Sequence, residues 1–173
     1  MAIKKEPSKR IKDICDSLRL DGQRITPQRL AIIDMALNSR SHPTAKGIHE
    51  ALIERFPTMS LMTVYKTLHL LHALGELSVI GADPERAHYD GFRPEPHPHL
   101  VCGQCGAIAD AGWPQASEWL APARRQGWQI QSWRLELLGL CPTCRTGVHE
   151  KHEGRTNYTK AFRVVRVIRL PYS

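Results

Sequence analysis

Cys102-Gly103-Gln104-Cys105 and Cys141-Pro142-Thr143-Cys144 are two CxxC knuckles separated by 35 residues. A CxxC turn lets two thiolates approach one ion, and two such turns supply the closed tetrahedral sulfur set of structural zinc. The separation exceeds that of a simple zinc ribbon. The residues between the knuckles must therefore fold so as to return the second pair to the first. Redox-active pairs or unrelated buried cysteines are the competing readings, but two knuckles are far more specific for a metal than one. Gly103 and Gly106 suit the tight backbone around the first knuckle. A closed site of this kind fixes a fold and leaves no open position for catalysis.

A second set of ligand types is harder and free of sulfur. His97-Pro98-His99 lies just before the first knuckle, and residues i and i+2 of an extended segment point the same way. Asp110 falls on a strand after the knuckle. Asp90, with His88 as its competitor, closes a small hairpin in the first half, and His42 precedes a helix there. Imidazole and carboxylate donors together suit Fe(II), Mn(II), Zn(II) or Ni(II). An ion shared by His42 and ligands of the second half would select one relative orientation of the two halves, which is a route from metal supply to an output. His49, His69 and His72 are read as solvated or core residues, and Cys15 as a small core residue.

The first half has helical periodicity. Ile11, Ile14, Cys15 and Leu18 share one face. Thr26-Pro27 is a helix start, and that helix is expected to carry Leu30, Ile33 and Leu37 inward. Thr44 caps a third helix bearing Ile48, Leu52 and Ile53. Ser60 caps a fourth, with Leu61, Val64, Leu68 and Leu71 as its buried stripe and Gly75 at its end. Strand-like pieces at Leu77 to Ile80 and Ala87 to Tyr89, with turn residues Gly81 to Pro84 between them, form a hairpin. Helices followed by such a hairpin make a winged helix-turn-helix. The proline-rich stretch at 91–98 is the expected hinge. Beyond it come strands at His99 to Cys102 and Ala107 to Asp110, a helix from Gln115 to Arg125 and a strand from Trp128 to Leu138. The fold class is α+β, with domains at 1–90 and 99–146 and a basic tail at 147–173.

The formal net charge is +7, but the stretch from Arg145 to Ser173 holds seven Lys/Arg and two Asp/Glu and so carries +5 of it. A DNA-binding claim therefore rests on motifs rather than bulk charge. The charged N-terminus lacks a signal-peptide apolar core, and no apolar run approaches the roughly 18 residues of a membrane span. A cytoplasmic protein is expected.

RITPQR at 24–29, HPTA at 42–45, MTVYKTLHLLHALGEL at 62–77, HPHLVCGQCG at 97–106 and CPTC at 141–144 together resemble the ferric uptake regulator (Fur) family of metal-sensing repressors. The resemblance implies a homodimer with an N-terminal winged-helix DNA-binding domain and a C-terminal α/β dimerisation domain. It implies structural zinc at Cys102, Cys105, Cys141 and Cys144, and a regulatory metal at His42, Asp90, His97, His99 and Asp110. Asp at 90 and 110 is similar to the peroxide-sensing PerR branch, which holds Fe(II) or Mn(II). In that branch peroxide oxidises a ligand histidine, matching His42 and His97 here, and the repressor releases DNA. The stretch from Asp90 to His97 is one residue longer than in PerR-like sequences, and His88 is the alternative ligand to Asp90. Pro96, Pro98 and Trp133 stand where many iron sensors build an additional metal site. A metal-supply sensor for iron, zinc, manganese or nickel is the alternative function.

The fourth helix is the expected recognition helix, with Thr63, Lys66 and Thr67 on its outer faces and Tyr65 at the edge. Thr methyls and Tyr rings contact thymine methyls, and Lys takes phosphate or guanine. The resemblance implies base-edge contact at Tyr65 and a backbone or minor-groove contact at Arg24. A two-fold dimer implies a pseudo-palindromic double-stranded operator. A metalloenzyme is the contrasting reading, but there is no HExxH, phosphate loop or nucleophile elbow. A non-enzymatic regulator is expected.

Overall fold

A computed structural model describes residues 7–81, 86–112 and 117–147. The chain divides into two compact units, Met1–Pro96 and His97–Ser173. Each is described by itself. The expected basic tail beyond Gly147, the start of the Gln115 helix and most of the hairpin turn lie outside the described residues.

In the N-terminal unit, local capping chemistry sets three of the four helices. Helix α1 spans Pro7–Leu20, α2 Pro27–Asn38, α3 Ala45–Leu52 and α4 Leu61–Ala73. The side-chain oxygens of Thr26, Thr44 and Ser60 accept hydrogen bonds from the backbone N–H groups of Arg29, Gly47 and Thr63, meeting donors that a helix start otherwise leaves unpaired. Gly75, at φ +71°, supplies the left-handed residue just past α4. The apolar stripes read from the sequence meet in one core that includes Ile14, Leu18, Ile33, Ile48, Val64 and Leu71.

Two expectations fail on these helices. Leu30 is not carried inward. It is 42% exposed, because the buried arc of α2 is centred on Ile32, Ile33, Ala36 and Leu37 and Leu30 lies at its edge. Thr67 is not on an outer face. It is fully buried at i+3 from Val64 and i−4 from Leu71, and its hydroxyl donates to the Thr63 carbonyl at 2.8 Å, so burial leaves that polar group satisfied.

The hairpin is antiparallel, β1 (Ser78–Ile80) with β2 (His88–Asp90), in the register Ser78 to Asp90 and Ile80 to His88. Tyr89 packs into the helical core. A bridge from Thr44 to His88 and a bond from the Tyr89 N–H to the Pro43 carbonyl (3.0 Å) tie β2 to the segment that leads into α3. Arg10 of α1 clamps the end of this arrangement. Its Nη1 donates to the Gly91 carbonyl, its Nη2 to the Glu76 carbonyl, and its Nε to the Glu76 carboxylate at 2.8 Å.

The C-terminal unit is built on a three-stranded sheet of order β4-β3-β5. Strand β3 (His99–Cys102) pairs antiparallel with β4 (Ile108–Asp110) and parallel with β5 (Glu136–Gly139). A parallel partner needs a crossover, and helix α5 (Ser117–Arg125) lies in that connection. Helix α6 (Pro142–Thr146) follows. The expected strand from Trp128 to Leu138 is corrected to Glu136–Gly139. Strand pairing is limited by the four residues of β3, and the stretch before it makes one bond to that strand, from the His99 N–H to the Leu135 carbonyl.

Gly91 tests the packing of β2 against α2. A Cβ there would lie 2.7 Å from the Ala36 carbonyl oxygen and 2.9 Å from Leu37 Cδ2. Gly91→Ala is expected to destabilise the N-terminal unit by about 1–3 kcal/mol, read as a lower urea midpoint with an unchanged slope.

Candidate metal centres

The parallel β3–β5 ladder brings the two knuckles together. Cys102 ends β3 opposite Gly139, and the Gly103 N–H bonds the Gly139 carbonyl at 2.9 Å, so the chain leaving β5 passes directly beside the first knuckle. Gly106 takes φ +75° to close that knuckle. Cys141 caps α6 and Cys144 lies one turn on, which puts both sulfurs on one side. The four Sγ atoms lie within 4.8 Å of one another, with Cys102 to Cys144 at 3.4 Å and Cys105 to Cys141 at 3.7 Å. A tetrahedron with zinc–sulfur bonds of about 2.3 Å has edges of about 3.8 Å. The donor set fits structural zinc.

The electrostatics agree with that fit. Burial pushes the Cys102 thiol up, but N–H donors from Cys105, Cys141 and Gln104, together with the Cys144 thiol, outweigh it and bring Cys102 down to about 6. Cys144 is pushed well above the ordinary thiol range by burial and then by the other three sulfurs, and Cys105 is also raised, by burial first. One thiolate is thus favoured while its neighbours resist a second like charge. A divalent cation removes that conflict.

The harder ligand types form two groups, one in each unit. In the C-terminal unit, β3 register sets Asp110 directly opposite His99, and His97 precedes His99 by two residues on the same side. His97 Nε2 lies 3.2 Å and His99 Nε2 3.9 Å from Asp110 Oδ1, and the two imidazole centroids are 4.3 Å apart. Both histidines are buried, and Asp110 reaches the surface. In the N-terminal unit, His42 Nε2 lies 3.7 Å from Asp90 Oδ2, with both residues buried. Asp90 Oδ1 accepts the Arg93 N–H at 3.0 Å, which fixes the carboxylate and leaves its second oxygen toward His42. His88, the alternative to Asp90, sets its Nδ1 against the His42 carbonyl oxygen at 2.6 Å, and burial pushes its pKa down. Each group is made of nitrogen and carboxylate oxygen, the chemistry that suits Fe(II), Mn(II) or Zn(II).

His42 carries an unusual backbone. Its φ of +49° is left-handed and it precedes Pro43, a position where steric clash disfavours compact conformations. Such a residue costs of order 1–3 kcal/mol, and the surrounding structure must over-determine it. Sequence reasoning identified His42 as a ligand type but had no signal for this conformation. It also missed Arg10 and Gly91, whose roles depend on packing between distant segments. Of the expected DNA-contact residues, Arg24 and Lys66 are exposed and Thr63 and Tyr65 are half-buried. Met62, which the sequence reading passed over, stands 58% exposed one turn before Lys66.

The model of the ferric uptake regulator family matches residues 21–138, which include parts of both units. The chain belongs to the ferric uptake regulator family. The peroxide operon regulator of Bacillus subtilis is 37% identical over 136 residues, 78% of this chain and 92% of that protein. The peroxide-responsive repressor PerR of Staphylococcus saprophyticus is 35% identical over 136 residues, 78% and 91% of the two chains. Among solved structures, the Helicobacter pylori ferric uptake regulator Fur, described as having three functional metal binding sites, matches with a TM-score of 0.72 at 18% identity. That match covers 84% of this chain and 97% of the other. At this identity it speaks for the fold alone, and it bears out the α+β, two-part architecture. Fur-family proteins are transcriptional regulators, not enzymes, and they act as DNA-binding dimers. Among the described residues no helix is long and apolar enough to cross a membrane.

The sulfur site yields a direct expectation. Stripping its metal with a strong chelator under reducing conditions, or making Cys102→Ser, removes the thermal transition of the C-terminal unit and leaves that of the N-terminal unit, whose core contains no metal ligand. Differential scanning calorimetry of the full chain separates the two.

Proposed function

We propose that this Fur-family protein is a metal-dependent, DNA-binding transcriptional repressor that senses peroxide through Fe(II) and is insensitive when it holds Mn(II). The observation that carries the reading is the donor set. His42 with Asp90, and His97 and His99 with Asp110, are sulfur-free groups held by secondary structure, in a chain 35–37% identical to two peroxide-responsive regulators over most of their length. One ion bound by all five residues would tie the two units into a single orientation, so the free energy of metal binding would select the DNA-competent form.

Fe(II) bound there would supply the one-electron chemistry that peroxide requires. The chain's own residues do the rest. Asp90 and Asp110 supply carboxylate charge beside His42 and His97. The two imidazoles are the groups whose oxidation, by gain of one oxygen, removes a donor and releases the orientation. The protein is cytoplasmic and homodimeric in this reading. The exposed side chains of Leu138 and Leu140 on the C-terminal unit supply apolar surface for a second copy. The operator is pseudo-palindromic and is read by α4 in the major groove. Its exposed Lys66 and the Thr63 and Tyr65 side chains are the contacts, with Arg24 on the backbone or minor groove.

The test compares operator binding by Fe(II)-loaded and Mn(II)-loaded protein before and after a small dose of peroxide, with peptide mass spectrometry on the same samples. Lost binding with one added oxygen on His42 or His97, in the Fe(II) form alone, is the expected result. Persistent binding with unmodified histidines sinks peroxide sensing and leaves a sensor of metal supply. Separately, Lys66→Ala is expected to weaken operator binding and to reduce the slope of log affinity against log salt by about 1, as measured by fluorescence anisotropy.

A further inference from the structure

Strand β2 alternates its side chains. Tyr89 enters the core, so His88 and Asp90 both face the turn that carries His42. They meet it differently. Asp90 Oδ2 lies near the His42 imidazole, whereas the His88 ring meets the His42 backbone. A carbonyl oxygen only accepts, so the His88 Nδ1 at 2.6 Å carries the proton and donates it. That bond falls on the left-handed residue's own carbonyl. The Tyr89 N–H to Pro43 bond and the Thr44–His88 bridge continue the same strap along the backbone.

We infer that His88 is a positioning residue for the regulatory ion and not one of its ligands: its Nδ1–H holds the His42 carbonyl and so fixes the left-handed turn that presents the His42 imidazole beside Asp90. The inference rests on the proposed role of His42 and Asp90 as ligands. Its chemistry is that of an outer-shell hydrogen bond that orients a ligand rather than touching the ion. The direction is inverted from the common case, since the bond goes to the ligand's backbone instead of to its second ring nitrogen. A left-handed histidine before proline has no intrinsic preference for that turn. Releasing its carbonyl lets the residue return to an extended conformation and swings its ring away from Asp90.

Ligation through Nε2 is the rival role for His88, because a ring that donates from Nδ1 keeps Nε2 for a metal. Asparagine separates the two, since its amide nitrogen sits near the position of Nδ1 and it has nothing at that of Nε2. In the full chain with zinc kept at the cysteines, binding of a second equivalent of Co(II) is followed by visible absorption, and Mn(II) affinity by competition. His88→Ala is expected to weaken both about 10- to 100-fold while leaving the absorption band of the saturated Co(II) form unchanged. His88→Asn is expected to stay within about threefold of the parent. In protein that holds zinc at the cysteines and no second metal, hydrogen exchange at the Tyr89 amide should quicken in His88→Ala and recover in His88→Asn. Equal loss in both variants with a shifted Co(II) band would make His88 a ligand, and unchanged affinity in His88→Ala would remove any role; either overturns the inference. If the parent protein takes up no second Co(II), the ligand assignment of His42 and Asp90 fails instead, while the Tyr89 exchange still reports whether His88 holds the turn.

Discussion

The pairing of β5 alongside β3 in parallel is the constraint on which the C-terminal unit depends. Four residues of ladder bring Cys141 beside Cys102, 39 positions earlier in the chain, and the Cys141 N–H then bonds Cys102 Sγ at 3.3 Å. Closing such a loop costs conformational entropy that a ladder this short does not offset alone. A sulfur-bound ion and the sheet would therefore depend on each other: the sheet gathers the thiols, and the cation would keep the sheet closed. The other edge of β3 carries a different load. Its antiparallel register with β4 sets Asp110 against His99, so one four-residue strand serves a sulfur site at its end and an imidazole–carboxylate group along its length.

The N-terminal unit is stabilised in another way. Its core is apolar and continuous, and three of its four helices begin at hydroxyl caps, so it needs no ion to fold. Its ligand types are attached to that core from outside. Tyr89 anchors β2, the Arg93 N–H orients Asp90, and Arg40 lies over the Phe92 ring at 4.7 Å, joining the two segments that flank His42 and Asp90. Among the described residues that packed unit holds one non-glycine residue in the left-handed region, His42.

Much of this was legible in the sequence wherever the chemistry is local. A hydroxyl three residues before a free N–H caps a helix whatever surrounds it, so Thr26, Thr44 and Ser60 mark their helices correctly. The knuckles declared themselves because their spacing is itself the geometry of the site. Leu30 and Thr67 did not, because the centre of a helix's buried arc is decided by its neighbours and not by its own pattern. The strand expected from Trp128 failed because a strand exists only where a partner does. The contact between His88 and the His42 carbonyl was beyond reach, since it depends on the backbone angle of a residue 46 positions away.

Gly91 pins the end of β2 against α2. With the Ala36 carbonyl only 2.7 Å from where a Cβ would sit, and Arg10 gripping the Gly91 carbonyl, β2 has no freedom to slide against α2. An added residue between Asp90 and His97 would then have to be absorbed after Gly91, within residues 92–96. Asp90 would keep its place on β2, and the surplus would lengthen the connection by up to about 3.3–3.6 Å.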